Sequence, residues 1–366
     1  MFARRNLLAL LLLALAACKG NQSTDAAAPA ASGADPVVKK EQAISLNGAG
    51  ATFPYPLYSK WISEYGKLNP NVKINYQSIG SGGGIRQIVA STVDFGATDA
   101  PMKDDESKTA PGKIFHIPAT IGAVVVAYNV PEVTGTLRLT PDVLVGIYAG
   151  KITKWNDAKI KADNADAKLP AKDISVVYRT DGSGTTAVFT GYLSQVSQEW
   201  KDKIGAGKSV NWPVGLGAKG NEGVTGQVKT TPYTIGYIER AYASQNKLPM
   251  AELKNKAGKF VAPSIEAMSA AAEAVEMPDV LYVSLADAEG DAAYPITGYS
   301  YLLVYEDAKD AVKGEALAKY VWWGLHDGQK FAKDLDYAPI PAKVLAKVEA
   351  RLKELRSGDK KLLSGA

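Results

Sequence analysis

The run Arg179-Thr180-Asp181-Gly182-Ser183-Gly184-Thr185-Thr186 sets a permanent cation and a carboxylate beside glycines and hydroxyls. An apolar stretch, Ile174 to Val177, precedes it, and Val188, Phe189, Tyr192 and Leu193 follow on one helical face. A strand therefore empties into a Gly-Ser-Gly-Thr turn that opens a helix. Unpaired N–H groups at a helix start, flanking hydroxyls and a forked guanidinium make a cradle for a small tetrahedral anion. The competing role for Arg179 is an ion pair with Asp181 at the surface. The two roles are compatible, because Asp181 can orient the guanidinium toward a ligand.

Two more turns share this chemistry. Gly50-Ala51-Thr52-Phe53 and Gly80-Ser81-Gly82-Gly83-Gly84 each combine glycine with a hydroxyl and each precede a helical pattern. One such turn alone is usually a tight connection. Three of them point to a shared oxyanion site, where each charge-assisted bond contributes roughly 1.5–3 kcal/mol. Asp99 is the discordant residue: a carboxylate facing an anion repels it unless the ligand offers a proton. Monohydrogen phosphate has one and sulfate at neutral pH has none, so Asp99 would select between them. Its plainer role is that of a turn residue before Ala100-Pro101.

Bond-breaking chemistry is poorly supported. The glycine turns lack the lysine of a nucleotide-binding P-loop. A serine hydrolase needs a usable histidine, and both His116, beside an apolar strand, and His326, at an amphipathic helix, suit packing or surface roles better. Metal-ligand spacing is absent and no cofactor is implied. The tryptophans are spread too widely for a carbohydrate platform and read as core, while Phe53 matters more for its backbone N–H than for its ring.

The elements that must position these residues form an α/β pattern with ligands at strand ends. Order begins near Ile44. A short strand to Gly50 leads into a helix with Leu57, Trp61, Tyr65 and Leu68 on one face and Pro54 and Pro56 in its first turn. Val72, Ile74 and Tyr76 alternate as a strand, a helix runs through Ile85, Ile88 and Val89, and another strand holds Val93 and Phe95. Ala123 to Ala127 reads as a buried strand, and Thr140-Pro141 as the cap and first residue of a helix. Further strands hold Ile235, Tyr237 and Tyr301 to Tyr305, and helices span 316–325 and 344–355.

The chain has 366 residues, room for two lobes, and a formal net charge of +4. Such a balance is no footprint for nucleic acid, so anion recognition must be local. Residues 1–17 read as an export signal: Arg4 and Arg5 precede an apolar run too short for an ordinary membrane span. Leu15-Ala16-Ala17-Cys18 resembles a bacterial lipobox, and Cys18 is the only cysteine. A plain signal peptide is the alternative. With lipidation, residues 18–43 become a flexible tether rich in Ala, Ser, Asp, Pro and Lys.

Several motifs together resemble the phosphate-binding protein of Pst-type ABC transporters, a periplasmic solute-binding family. They are Gly48 to Pro54, Gly80 to Gly84, Val93 to Pro101, Gly150 to Asp157, Arg179 to Thr185, Val214 to Asn221 and Asp334 to Ala338. The resemblance implies a two-lobed α/β binding fold that closes about a hinge, with lobe I from residues 44–119 and 297–366 and lobe II from residues 120–296. It implies phosphate ligands at Thr52 and Phe53, with Ala51 adjoining, and at Ser81 and Asp99 from lobe I. Arg179, Ser183, Gly184 and Thr185 would close from lobe II, with Asp181 in support. It implies delivery of inorganic phosphate to a membrane permease and its ATPase, without catalysis. Many relatives are free in the periplasm, whereas Cys18 argues for a lipid tether to a membrane here. A binder of another protonated oxyanion such as arsenate, or a phosphatase, are the competing functions.

Overall fold

The computed structural model describes residues 43–363, so the export signal, Cys18 and nearly all of the tether lie outside the described residues. The chain opens with strand β1 (Ile44–Gly50), helix α1 (Tyr55–Leu68), β2 (Val72–Ser78), α2 (Ser81–Val89) and β3 (Phe95–Thr98). Strand β4 (Ile114–Asn129) and helix α3 (Pro141–Tyr148) follow, then β5 (Ser175–Arg179) and α4 (Gly184–Val196). Next come β6 (Leu216–Ala218), α5 (Gly220–Thr230), β7 (Thr234–Glu239) and α6 (Arg240–Gln245). Strand β8 (Thr297–Tyr305) and helices α7 (Ala311–Leu325) and α8 (Ala342–Leu352) complete the main elements.

Eight strands make one mixed sheet in the order β2-β1-β3-β8-β4-β7-β5-β6. The parallel pairs are β1 with β2 and β3, and β5 with β7 and β6. Parallel neighbours joined through helices point their C-terminal ends the same way, which collects the glycine turns along sheet edges where ligands bind. The long strand β4 links the two halves of the sheet. Its first part, Ile114 to Ala123, pairs antiparallel with β8, and Val124 to Asn129 pairs with β7.

The sequence pattern marks only 123–127 of β4. Ahead of that stretch stand His116, Pro118 and Thr120, which interrupt the apolar run. Proline is tolerated there because the register of β8 shifts between Ser300 and Tyr301, opposite Pro118, so the missing N–H falls at an irregularity. Two smaller differences concern packing. Leu68 closes α1 with 65 % of its surface exposed, while Leu57, Trp61 and Tyr65 are buried as the helical face requires. Val93 sits just ahead of β3 and is buried without pairing in it.

Local signals hold at the helix starts. Thr140 accepts from the Val143 amide and Pro141 follows it, capping α3 as expected. Pro54 stands at the cap of α1 and Pro56 in its first turn. Of the tryptophans, Trp61, Trp155 and Trp200 are fully buried, whereas Trp212, Trp322 and Trp323 pack at the core margin. No helix among the described residues is long and apolar enough to cross a membrane.

Candidate functional site

The turn after β1 is held by its carbonyls. Tyr76 Oη donates to the Ala51 carbonyl at 2.8 Å, Tyr242 to that of Thr52 at 2.6 Å, and Tyr337 to that of Phe53 at 2.6 Å. With three successive carbonyls tied back, the N–H groups of Thr52 and Phe53 are presented on the other side of the chain. The Phe53 ring is buried against Gly122, where a Cβ would fall 2.4 Å from it. The ring is therefore an anchor and the backbone the polar surface.

The second turn meets the third backbone to backbone. The Gly82 amide donates to the Gly182 carbonyl at 2.8 Å, and a Cβ on Gly82 would lie 3.1 Å from the Gly182 Cα. Gly80 has φ +86°, a left-handed conformation, and a Cβ there would strike Asp181 Oδ2 at 2.3 Å. Both features require glycine. Ser81 opens α2 and is fully buried.

Asp99 follows β3 with 4 % of its surface exposed. Ser300 donates to its Oδ1 at 2.8 Å, and Ser81 donates to its Oδ2 at 3.3 Å. Burial raises the carboxyl to about 7, against the partial offset of Ser300, the Arg179 charge and Ser81. Gly184 packs directly against it: a Cβ on Gly184 would lie 2.4 Å from both Asp99 Oδ2 and Ser81 Oγ. The start of α4 and the start of α2 therefore converge on this one carboxylate.

Arg179 ends β5 with 3 % exposure. Its Nε and Nη2 donate to Asp181 at 2.8 and 2.5 Å, and Nη1 donates to Thr185 Oγ1 at 3.2 Å. Burial alone would lower the guanidinium pKa; the bonds and charge of Asp181 outweigh it and raise it, so the cation is secure. Asp181 is held below its ordinary range despite burial, because Arg179 and the Gly220 N–H stabilise its charge. The ion pair read from the sequence is thus present, but buried rather than at the surface. Ser183 caps α4 by accepting from the Thr186 amide at 3.0 Å, which leaves its hydroxyl hydrogen to donate elsewhere. Gly184 and Thr185 are the first residues of α4, whose amides have no intrahelical acceptor.

The geometry thus gathers Ser81, Asp99, Gly184, Thr185 and Arg179, and links Thr52 to them through Asn221. The arrangement joins one fixed cation, neutral donors and one carboxylate with a raised pKa, chemistry suited to a small anion. Asn221, Ser300, Tyr242 and Tyr337 carry no local signal of their own; Asn221 and Tyr337 fall inside motifs singled out in the sequence, without a role assigned to either. Neither histidine joins the site. His116 accepts from the Met102 amide at 3.0 Å and burial lowers it to about 4, while His326 stacks on Trp322 and bonds Glu349. Among the described residues no cluster of His, Cys, Asp or Glu is arranged to hold a metal ion.

The pattern of the PBP superfamily domain matches residues 26–323. The chain is similar to the phosphate-binding protein PstS of Pasteurella multocida, 48 % identical over 326 residues, spanning 88 % of this chain and 94 % of that one. It is similar to PstS of Xylella fastidiosa at 44 % over 333 residues, 90 % of this chain and 91 % of the other. In fold it is similar to a putative phosphate ABC transporter substrate-binding protein from Clostridium perfringens, solved with bound phosphate. There the TM-score is 0.61 at 17 % identity, covering 81 % of this chain and all of that one.

Proposed function

The chain belongs to the PBP superfamily and, within it, to the family of PstS phosphate-binding proteins, and from that membership we propose that it binds inorganic phosphate between the two halves of its sheet. It hands the ligand to the permease and ATPase of a Pst-type ABC importer, and as a PstS-type protein it works in the periplasm. The fold is the two-lobed α/β binding type.

The observation that carries the ligand assignment is the placement of Asp99. A buried carboxylate lies against the starts of two helices and near Arg179. Helix starts and the guanidinium attract an anion; the carboxylate admits one only if it brings a proton. The ligand contacts we assign are Thr52 and Phe53 with Ala51 adjoining, Ser81, Asp99, Arg179, Ser183, Gly184 and Thr185, with Asp181 steadying Arg179. The lobes we assign are residues 44–119 with 297–366, and residues 120–296. In support, β4 changes partner from β8 to β7 between Ala123 and Val124. Bonds between the lobes, such as Gly82 to Gly182 and Tyr242 to Thr52, would form on closure about the hinge.

The reading assigns no catalysis. In its favour, both histidines are engaged away from the site, His116 with the Met102 amide and His326 with Glu349. The reading also keeps a lipid anchor at Cys18. Calorimetry with phosphate and with sulfate at about pH 8.5, where Asp99 is ionised, tests the ligand: tighter phosphate than sulfate binding is expected, and comparable affinities would sink the Asp99 argument. A phosphate ester incubated with the protein should remain intact. Intact-mass measurement of the membrane fraction should show a lipidated Cys18, and a Cys18→Ala chain should lose membrane retention.

A further inference from the structure

Asn221, near the start of α5, is fully buried and makes four bonds through its side chain and its own amide. The Glu239 N–H donates to its Oδ1 at 2.9 Å, which fixes which end of the side-chain amide is oxygen. Nδ2 is thereby turned toward two hydroxyls. It donates to Thr52 Oγ1 at 2.8 Å and to Thr185 Oγ1 at 3.2 Å. The backbone N–H of Asn221 adds a second bond to Thr52 Oγ1 at 3.3 Å, and Arg179 Nη1 adds a second to Thr185 Oγ1 at 3.2 Å.

A hydroxyl oxygen has two lone pairs and one hydrogen. Both threonine oxygens accept two bonds each, so both lone pairs are occupied and only the O–H remains for other partners. We infer that Asn221 is a positioning residue for ligand binding: it turns Thr52 and Thr185 into obligate donors aimed at the anion. An anion offers only acceptors on its ionised oxygens, so a hydroxyl free to turn its lone pair toward the ligand would repel it. Asn221 also ties Thr52, ahead of α1, to Thr185, at the start of α4, through a single amide. The two arms of the site are therefore set together. This inference rests on the phosphate reading of the same site.

The test is a comparison of Asn221→Ala in two backgrounds, the natural chain and a Thr52→Val/Thr185→Val chain, with phosphate affinity measured by calorimetry and ligand-free melting measured alongside. Losing the orientation of two hydroxyl bonds should weaken phosphate binding about tenfold to a hundredfold in the natural background. In the double-valine background there is no hydroxyl to orient, and the same substitution should change affinity by less than about threefold. An equal loss in both backgrounds, or no loss in the natural one, overturns the inference. If the alanine chain does not fold, Asn221→Leu carries the same comparison, since it is close in size, uncharged and supplies no donor to either hydroxyl. A natural chain that fails to bind phosphate overturns the functional reading and the inference together. Normal binding with equal losses overturns the inference alone.

Discussion

Asp99→Asn is the substitution that separates phosphate recognition from simple anion recognition. Asp99 Oδ2 faces the start of α4 and lies against Ser81, so a ligand oxygen held there meets the carboxylate at bonding distance. A protonated ligand oxygen donates to it, a charge-assisted bond contributing about 1.5–3 kcal/mol. An ionised sulfate oxygen cannot donate. With about half a unit charge at about 3 Å and an effective permittivity near 20, it is repelled by about 3 kcal/mol. Because the carboxyl titrates near 7, sulfate can bind its protonated form at a cost of about 1.4 kcal/mol per pH unit above that value, so the phosphate-to-sulfate ratio should rise about tenfold per pH unit above 7. Asparagine can donate to either anion, so this rise of the ratio with pH should be lost and the ratio at about pH 8.5 should fall about tenfold or more. Sulfate does not titrate between about pH 5.5 and 8.5, so its own pH profile reports the protein. Because Asp99 titrates near 7, sulfate binding to the natural chain should weaken up to about tenfold per pH unit above that value. The Asp99→Asn chain should bind sulfate independently of pH. Calorimetric titrations across this range read both quantities. An unchanged phosphate-to-sulfate ratio in the variant, or a flat sulfate profile in the natural chain, would refute the reasoning.

Arg179→Lys replaces a fork that bonds Asp181 twice and Thr185 once with a single ammonium; phosphate affinity should fall about tenfold or more by calorimetry. Gly184→Ala drives a methyl into Asp99 and Ser81; phosphate affinity should drop about tenfold to a hundredfold by calorimetry. Glu239 is fully buried, and burial raises its pKa despite bonds from the Ala241 N–H and Tyr337. Asp99 is likewise raised, to about 7. A raised folded pKa contributes stability that is fully present below the ordinary carboxylate range and is lost as pH rises through the folded value. Ligand-free stability should therefore fall from about pH 4 to pH 7, with Asp99 contributing up to about 4 kcal/mol of that change. Urea titrations should show the slope reduced in Asp99→Asn and in Glu239→Gln, and an unaltered slope in both would contradict the assignment.

What the sequence made legible follows the range of the interactions involved. The glycine turns, the Thr140 cap and the Arg179–Asp181 pair are short-range features, set within a few residues, and each stands where its pattern points. The partners that complete the site are remote. Asn221 lies 169 positions from Thr52, Ser300 lies 201 from Asp99, and Tyr337 lies 284 from Phe53. Asparagine, serine and tyrosine have many ordinary uses, so residue type alone did not mark these. Glu239 was hidden for the same reason: its burial comes from packing of β7 against α6 and the C-terminal segment, which no local window contains. The long strand β4 was visible only in its apolar half, because Pro118 and His116 look disruptive until the shifted register of β8 is known.

A crystal structure of the protein with phosphate at neutral pH tests the central claim most directly. It should place one tetrahedral anion against Thr52, Phe53, Ser81, Arg179 and the start of α4, with one ligand oxygen at hydrogen-bond distance from Asp99. Phosphate bound elsewhere, or in this site but turned away from Asp99, would contradict it.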